Sequence, residues 1–209
     1  SIQENFKTFD VNLLHGVTAS GKTEIYIKLL EQYIKEGKQV LFLLPEIALT
    51  TQLVQRLTAY FGNEVAVFHS KYTNNERIEV WNQVLENSPK AKVVIGVRSA
   101  LFLPFSNLGC IIVDEEHEQT FKQNDPAPRY HARDAAIVLA KQHGAKVVLG
   151  SATPSLETYY NVQTNKYGLT ELKVRYGNVV LPEIQLVDLK DKYFRKKMSG
   201  HFSDELLEE

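Results

Sequence analysis

Three polar clusters carry the residues of this chain that could do chemistry. The first is GVTASGKTE, which matches the spacing G-x-x-x-x-G-K-[ST] at Gly16, Gly21, Lys22 and Thr23. In that pattern backbone N–H groups wrap an anion, and the start of the following helix adds positive partial charge. Gly16, Val17, Thr18, Ala19, Ser20, Gly21, Lys22, Thr23 and Glu24 are therefore the candidate ATP-binding residues. Lys22 is suited to the β- and γ-phosphates, and Thr23 to Mg²⁺. The second cluster, DEEH, ends an apolar run. Asp114 is the candidate second anchor for Mg²⁺. Glu115 is placed to orient or deprotonate an attacking water. Lys22, Asp114 and Glu115 form the candidate catalytic set, while His117 lies too far along to be the base and suits a reporter of nucleotide state. The third cluster is SAT, where Ser151 and Thr153 offer hydroxyls to the DEEH side chains. An ordinary strand-to-helix cap is the other reading of SAT.

Such clusters need a scaffold that brings them together. Short apolar runs lie at 11–15, 39–45, 64–70, 91–97, 109–115 and 145–151. Helical patterns such as LTTQLVQRLTAYFG and RIEVWNQVLENS separate them. Nearly continuous Val/Ile/Leu strands between helices predict an α/β fold with a mainly parallel sheet and helices on both faces. Right-handed crossovers place the strand C-termini along one edge, where open α/β sheets bind ligands. All three clusters should meet there. The tail mixes two short strand-like runs with the basic stretch from Lys190 to Lys197, then SDELLEE, which reads as the first turn of a helix. The expected division is a domain over 1–165 and an exit segment over 166–209.

Bulk properties narrow the function classes. The chain has 209 residues, 44% hydrophobic and 23% charged, with a net charge of −1. Nucleic-acid contact must come from a local patch, not a general positive field. The single cysteine, Cys110, cannot form an internal disulfide and suits a buried thiol in a reducing compartment. No apolar run reaches the length of a membrane span. A cytoplasmic protein without membrane contact is the expectation.

GVTASGKTEIY, LLPEIALT, FHS, GVRSALFLPF, IIVDEEHEQTFKQ, PRYHARDAA and LGSATPSLET occur in that order. Together they resemble the superfamily 2 helicases and, more closely, the bacterial primosomal replication-restart (PriA) helicase family. The resemblance covers most of the chain and implies a RecA-like P-loop ATPase lobe. It implies an ATP- and Mg²⁺-dependent 3′→5′ DNA helicase acting on forked and single-stranded DNA, with primosome and single-strand-binding proteins as partners. A second motor lobe with an arginine finger, and the family's zinc sites, would lie outside this chain, so the chain alone should be nearly inactive. By the same likeness Pro45, Glu46, Arg98 and Ser99 face DNA.

The aromatic and basic segment 118–134 offers Phe121, Lys122, Arg129, Tyr130 and Arg133 as further DNA contacts. This sequence departs from the family by carrying Asp-Pro-Ala-Pro at 125–128 and no tryptophan there. Ala19 stands where the family usually has glycine or serine, and its methyl is tolerable if φ stays negative. The alternatives are an ATP-gated assembly platform at forks and another superfamily 2 translocase, including an RNA helicase.

Overall fold

Alternate residues of a strand point to opposite faces, so an unbroken apolar run can fill two cores at once. That arrangement is present in a computed structural model of the chain, which describes residues 1–45, 52–69, 72–175 and 184–208. The strands are β1 (Val11–Gly16), β2 (Gln39–Leu43), β3 (Val65–Phe68), β4 (Val93–Gly96), β5 (Leu108–Asp114), β6 (Lys146–Ser151) and β7 (Gly168–Leu172). They form one sheet in the order β3-β4-β2-β5-β6-β1-β7, with every neighbouring pair parallel. All six runs read from the sequence are strands of this sheet.

The helices of the sheet unit are α1 (Ile2–Asn5), α2 (Lys22–Lys35), α3 (Gln52–Phe61), α4 (Asn74–Leu85), α5 (Ala132–His143) and α6 (Leu156–Gln163). On one face Leu14, Phe42, Ile112 and Val148 share a core with Tyr26 and Leu30 of α2 and Leu57 of α3. On the other, Leu13, Leu43, Val113 and Leu149 share a core with Val80 and Val84 of α4 and Ala136 and Ala140 of α5. Each large aliphatic buried this way stabilises the fold by roughly 1.5–3 kcal/mol. Cys110 is fully buried in the first of these cores, and burial pushes its thiol up to about 12.

The strand order does the positioning. β5, β6 and β1 are consecutive, with Asp114 opposite Gly150 and His15 opposite Ser151. Parallel pairing therefore delivers the ends of all three strands, and the three polar clusters, to one stretch of sheet edge. β7 falls inside the 166–209 segment and extends the sheet beyond β1. The chain divides into one unit over Ser1–Asn178 and another over Val179–Glu209. In the second unit the described residues form α7 (Leu189–Phe194), the short antiparallel pair β8 (Met198–Ser199) and β9 (Phe202–Ser203), and α8 (Asp204–Glu208). Lys192 of α7 pairs there with Asp204, at 2.9 Å, and with Glu205.

Candidate functional site

The glycine loop leaves β1 and enters α2 through Gly21, whose φ of 88° is left-handed backbone that glycine adopts without cost. Ala19 has a φ of 59°. The expectation of a negative φ there is therefore overturned: the loop must turn left at this residue, and the methyl bears strain of about 1–2 kcal/mol. Lys22 Nζ donates to the Gly16 carbonyl at 2.8 Å, spanning the loop. Ser20 Oγ is buried with no hydrogen-bond partner among the described residues. A buried, unsatisfied hydroxyl is costly unless something else meets it. Val17 N–H donates to the Leu172 carbonyl at 3.3 Å, so β7 braces the loop.

This loop and the other two clusters enclose a cavity of about 430 Å³. Thr18 through Thr23 line it from one side, and Asp114, Glu115, His117, Ala152 and Thr153 from the other. Gly16 and Val17 support the loop from outside the cavity wall. Glu24 instead pairs with Arg56 of α3.

Asp114 closes β5 and accepts a hydrogen bond from the Tyr26 hydroxyl at 2.8 Å. Burial raises the Asp114 pKa, and the Tyr26 hydrogen bond and the Lys22 ammonium oppose that rise. Burial also raises Glu115, and the neighbouring Asp114 charge adds to it. Glu115 has a φ of 51°, a strained geometry for a glutamate and one that recurs at functional sites. His117 Nδ1 lies 2.8 Å from Ser151 Oγ and 3.7 Å from Glu115 Oε2. Its Nε2 lies 3.4 Å from Thr153 Oγ1, and Ser151 Oγ accepts from the Thr153 N–H at 2.9 Å. One imidazole thus touches both hydroxyls and approaches a carboxylate.

The proposed DNA contacts divide sharply. Phe121 is 1% exposed and belongs to the core beneath α5, so it cannot stack on a base. Arg133 is 8% exposed and bonds to Glu116 Oε2 at 3.0 Å, Asp134 Oδ1 at 2.8 Å and Ser155 Oγ at 2.6 Å. Its guanidinium is consumed by this network and is not offered to phosphate. These two assignments fail because an aromatic-basic sequence pattern does not say which members point inward. Pro45 is buried at the end of β2, and Glu46 lies outside the described residues. Arg98 Nη1 donates to the Thr120 carbonyl at 2.9 Å, Tyr130 Oη to the Arg98 carbonyl at 3.4 Å, and Lys122 Nζ to the Arg129 carbonyl at 3.1 Å. Arg129 and Lys122 are exposed, and Ser99 is half-buried.

Two positioning residues escaped the sequence reading. Tyr26 reads as helix packing in the pattern IYIKLL, and only the sheet geometry aims its hydroxyl at Asp114. Glu116 is fully buried and accepts from Ser155 N–H at 2.7 Å, Thr158 Oγ1 at 3.0 Å and Arg133. The third consecutive acid of DEEH was the available signal, since burial on one side of the strand end must claim one of them.

The DEAD/DEAH box helicase family matches this chain over residues 2–162. The chain is 47% identical over 198 residues to the replication restart protein PriA of Bacillus subtilis, covering 95% of this chain and 24% of that protein. It is 50% identical over 191 residues to PriA of Haemophilus influenzae, covering 91% and 26%. The chain thus spans about a quarter of the length of these relatives. Among solved structures, RecG bound to a three-way DNA junction aligns with a TM-score of 0.55 at 21% identity, over 78% of this chain and 20% of that one. The DUF1998 helicase MrfA bound to DNA aligns with a TM-score of 0.56 at 17% identity, over 82% and 24%. These structures share the fold.

Proposed function

The chain belongs to the DEAD/DEAH box helicase family, and from that premise we propose that it is the ATP-binding first motor lobe of a DNA helicase that restarts stalled replication forks. The observation that carries this reading is the shared cavity: a phosphate-type loop on one wall, and Asp114, Glu115 and His117 on the other. The loop suits a triphosphate because the helix start of α2 faces it, Lys22 spans it, and Ser20 Oγ is buried there without a partner. Thr23 and Asp114 are the residues that would hold Mg²⁺. That ion needs only one or two protein ligands when phosphates supply others. When bound, MgATP supplies the phosphoryl bond whose hydrolysis drives the motor.

The chain's own residues then have separable tasks. Lys22 neutralises phosphate charge. Glu115, its pKa raised by burial and by Asp114, orients a water or takes its proton. His117, between Glu115 and the two hydroxyls of SAT, carries changes at the carboxylates to β6. The restart of forks, the forked and single-stranded DNA substrates and the 3′→5′ polarity rest on likeness to the PriA proteins. So do primosome partners and a cytoplasmic location; among the described residues no helix is long and apolar enough to cross a membrane.

The test is ATP hydrolysis with and without forked DNA, in a protein of the relatives' full length. DNA-stimulated turnover that is lost in Lys22→Ala and in Glu115→Gln, with folding intact, is the expected result. Turnover that survives both changes would assign the hydrolytic site elsewhere.

A further inference from the structure

Side chains near the end of β5 alternate between the two faces of the sheet. Ile112 lies in the core that α2 covers, and Val113 in the core that α5 covers. Asp114 returns to the α2 face, where it meets Tyr26. Continued alternation would send the Glu115 side chain to the α5 face and Glu116 back towards α2. The structure has the opposite arrangement. Glu116 is fully buried among residues of α5 and α6, and Glu115 lines the nucleotide cavity. The exchange takes place at Glu115 itself, whose φ of 51° breaks the strand geometry.

Both neighbours of that residue are fixed. Asp114 sits in the ladder between β5 and β6, opposite Gly150. The Glu116 N–H donates to the Gly150 carbonyl at 3.1 Å. Its carboxylate accepts from the Ser155 N–H at 2.7 Å, Ser155 Oγ at 3.1 Å, Thr158 Oγ1 at 3.0 Å and Arg133 Nη1 at 3.0 Å. A left-handed φ is unfavourable for a residue with a Cβ, so it persists only where the surroundings impose it. The bonds of Glu116 are positioned to do so.

We propose that Glu116 is a positioning residue for ATP hydrolysis. By filling the buried place on the α5 face, it forces the left-handed turn at Glu115 and keeps the Glu115 carboxylate in the cavity. This inference rests on the assignment of Glu115 to the attacking water. Ser155, which caps α6, and Thr158 and Arg133 belong to the same device, although none of them lines the cavity.

Two measurements test it. The first is steady-state ATP hydrolysis by a protein of the relatives' full length. Glu116→Ala should lower kcat about ten- to hundredfold, because a displaced Glu115 misorients the water, while KM for ATP stays within about twofold. Thr158→Val removes one donor and should lower kcat less, again at constant KM. The second measurement needs no nucleotide: urea denaturation of this chain in a double-mutant cycle. Glu115→Gly should raise the urea midpoint, since glycine adopts the left-handed turn freely. In the Glu116→Ala background that gain should vanish, because the turn is no longer imposed. If Glu116→Ala does not fold, Thr158→Val carries both measurements, with a smaller kcat loss and a reduced glycine gain expected. Folded variants with wild-type kcat, or an equal glycine gain in both backgrounds, would overturn the positioning role and leave the motor-lobe reading standing. Turnover that survives Glu115→Gln would overturn the hydrolytic assignment and this inference together.

Discussion

The Tyr26 hydroxyl donates to Asp114 Oδ1 at 2.8 Å, and the two meet in space that Gly150 leaves open. A Cβ on Gly150 would lie 1.7 Å from that hydroxyl oxygen. Tyr26 belongs to α2, the helix that the phosphate-type loop begins, and Asp114 ends β5. One hydrogen bond therefore ties the phosphate side of the cavity to its acidic side.

Tyr26→Phe removes that bond and keeps the packing. A hydrogen bond to a charged group is worth about 1.5–3 kcal/mol, so the contribution of Mg²⁺ to nucleotide affinity should fall roughly tenfold or more. The bond holds the Asp114 pKa down against burial. Its loss should shift the acid limb of Mg²⁺-dependent binding to higher pH. Isothermal titration with MgADP across pH 5–8 measures both effects. A pH profile identical to wild type would remove Tyr26 from the site.

Asp114→Asn should make the nucleotide-free protein more stable at neutral pH. Burial raises the Asp114 pKa above its value in the unfolded chain. The folded state then holds the proton more tightly, so this residue's stability contribution is complete below the unfolded pKa and is lost as pH rises through the folded one. The asparagine has no such loss, and its amide oxygen can still accept from Tyr26. The expected change is a higher melting temperature at pH 7, with the difference shrinking towards pH 4. Equal melting temperatures at both pH values would mean that the carboxylate is not strained by burial.

These residues also mark what the sequence could tell. Runs such as GCIIV, ahead of Asp114, are apolar on every position, so they declare strands buried on both faces, and the six read that way are strands. Turn chemistry and spacing likewise exposed the glycine loop. β7 was harder, because GLTEL carries a Thr and a Glu and reads as a half-covered edge, not as a core strand. Phe121 and Arg133 were misread for a different reason. Their segment has no period that fixes orientation, so only the tertiary contacts decide which of its aromatic and basic side chains turn inward.

Ala19→Gly should stabilise the chain although it removes a methyl group. The left-handed φ of 59° costs an alanine about 1–2 kcal/mol, against roughly 0.4–1 kcal/mol for the freer unfolded glycine chain. The net gain expected is about 0.5 kcal/mol. Ala19→Val should lose more than that, since a β-branched residue is least at ease at positive φ. Urea denaturation of the three proteins orders them Gly, Ala, Val if the loop keeps this backbone; any other order means that the loop turns differently in solution.

Arg133→Ala should act on stability and not on nucleic-acid contact. Arg133 and Glu116 pair at 3.0 Å with side chains 9% and 0% exposed. Removing the guanidinium leaves a buried carboxylate with no countercharge, held by the Ser155 N–H and by the Ser155 and Thr158 hydroxyls. Breaking a buried pair from one side costs about 3–5 kcal/mol, whereas replacing both partners by apolar groups is often neutral. The double variant Arg133→Leu with Glu116→Met should therefore recover much of what Arg133→Ala loses. Arg129, exposed on the same segment, provides the contrast. Arg129→Ala should leave stability within about 0.5 kcal/mol, as surface substitutions do, and weaken oligonucleotide binding at low salt. Denaturant midpoints and anisotropy titrations on the four proteins separate the two roles. A stable Arg133→Ala protein that had lost only nucleic-acid affinity would put Arg133 at the DNA surface and the buried network would need another explanation.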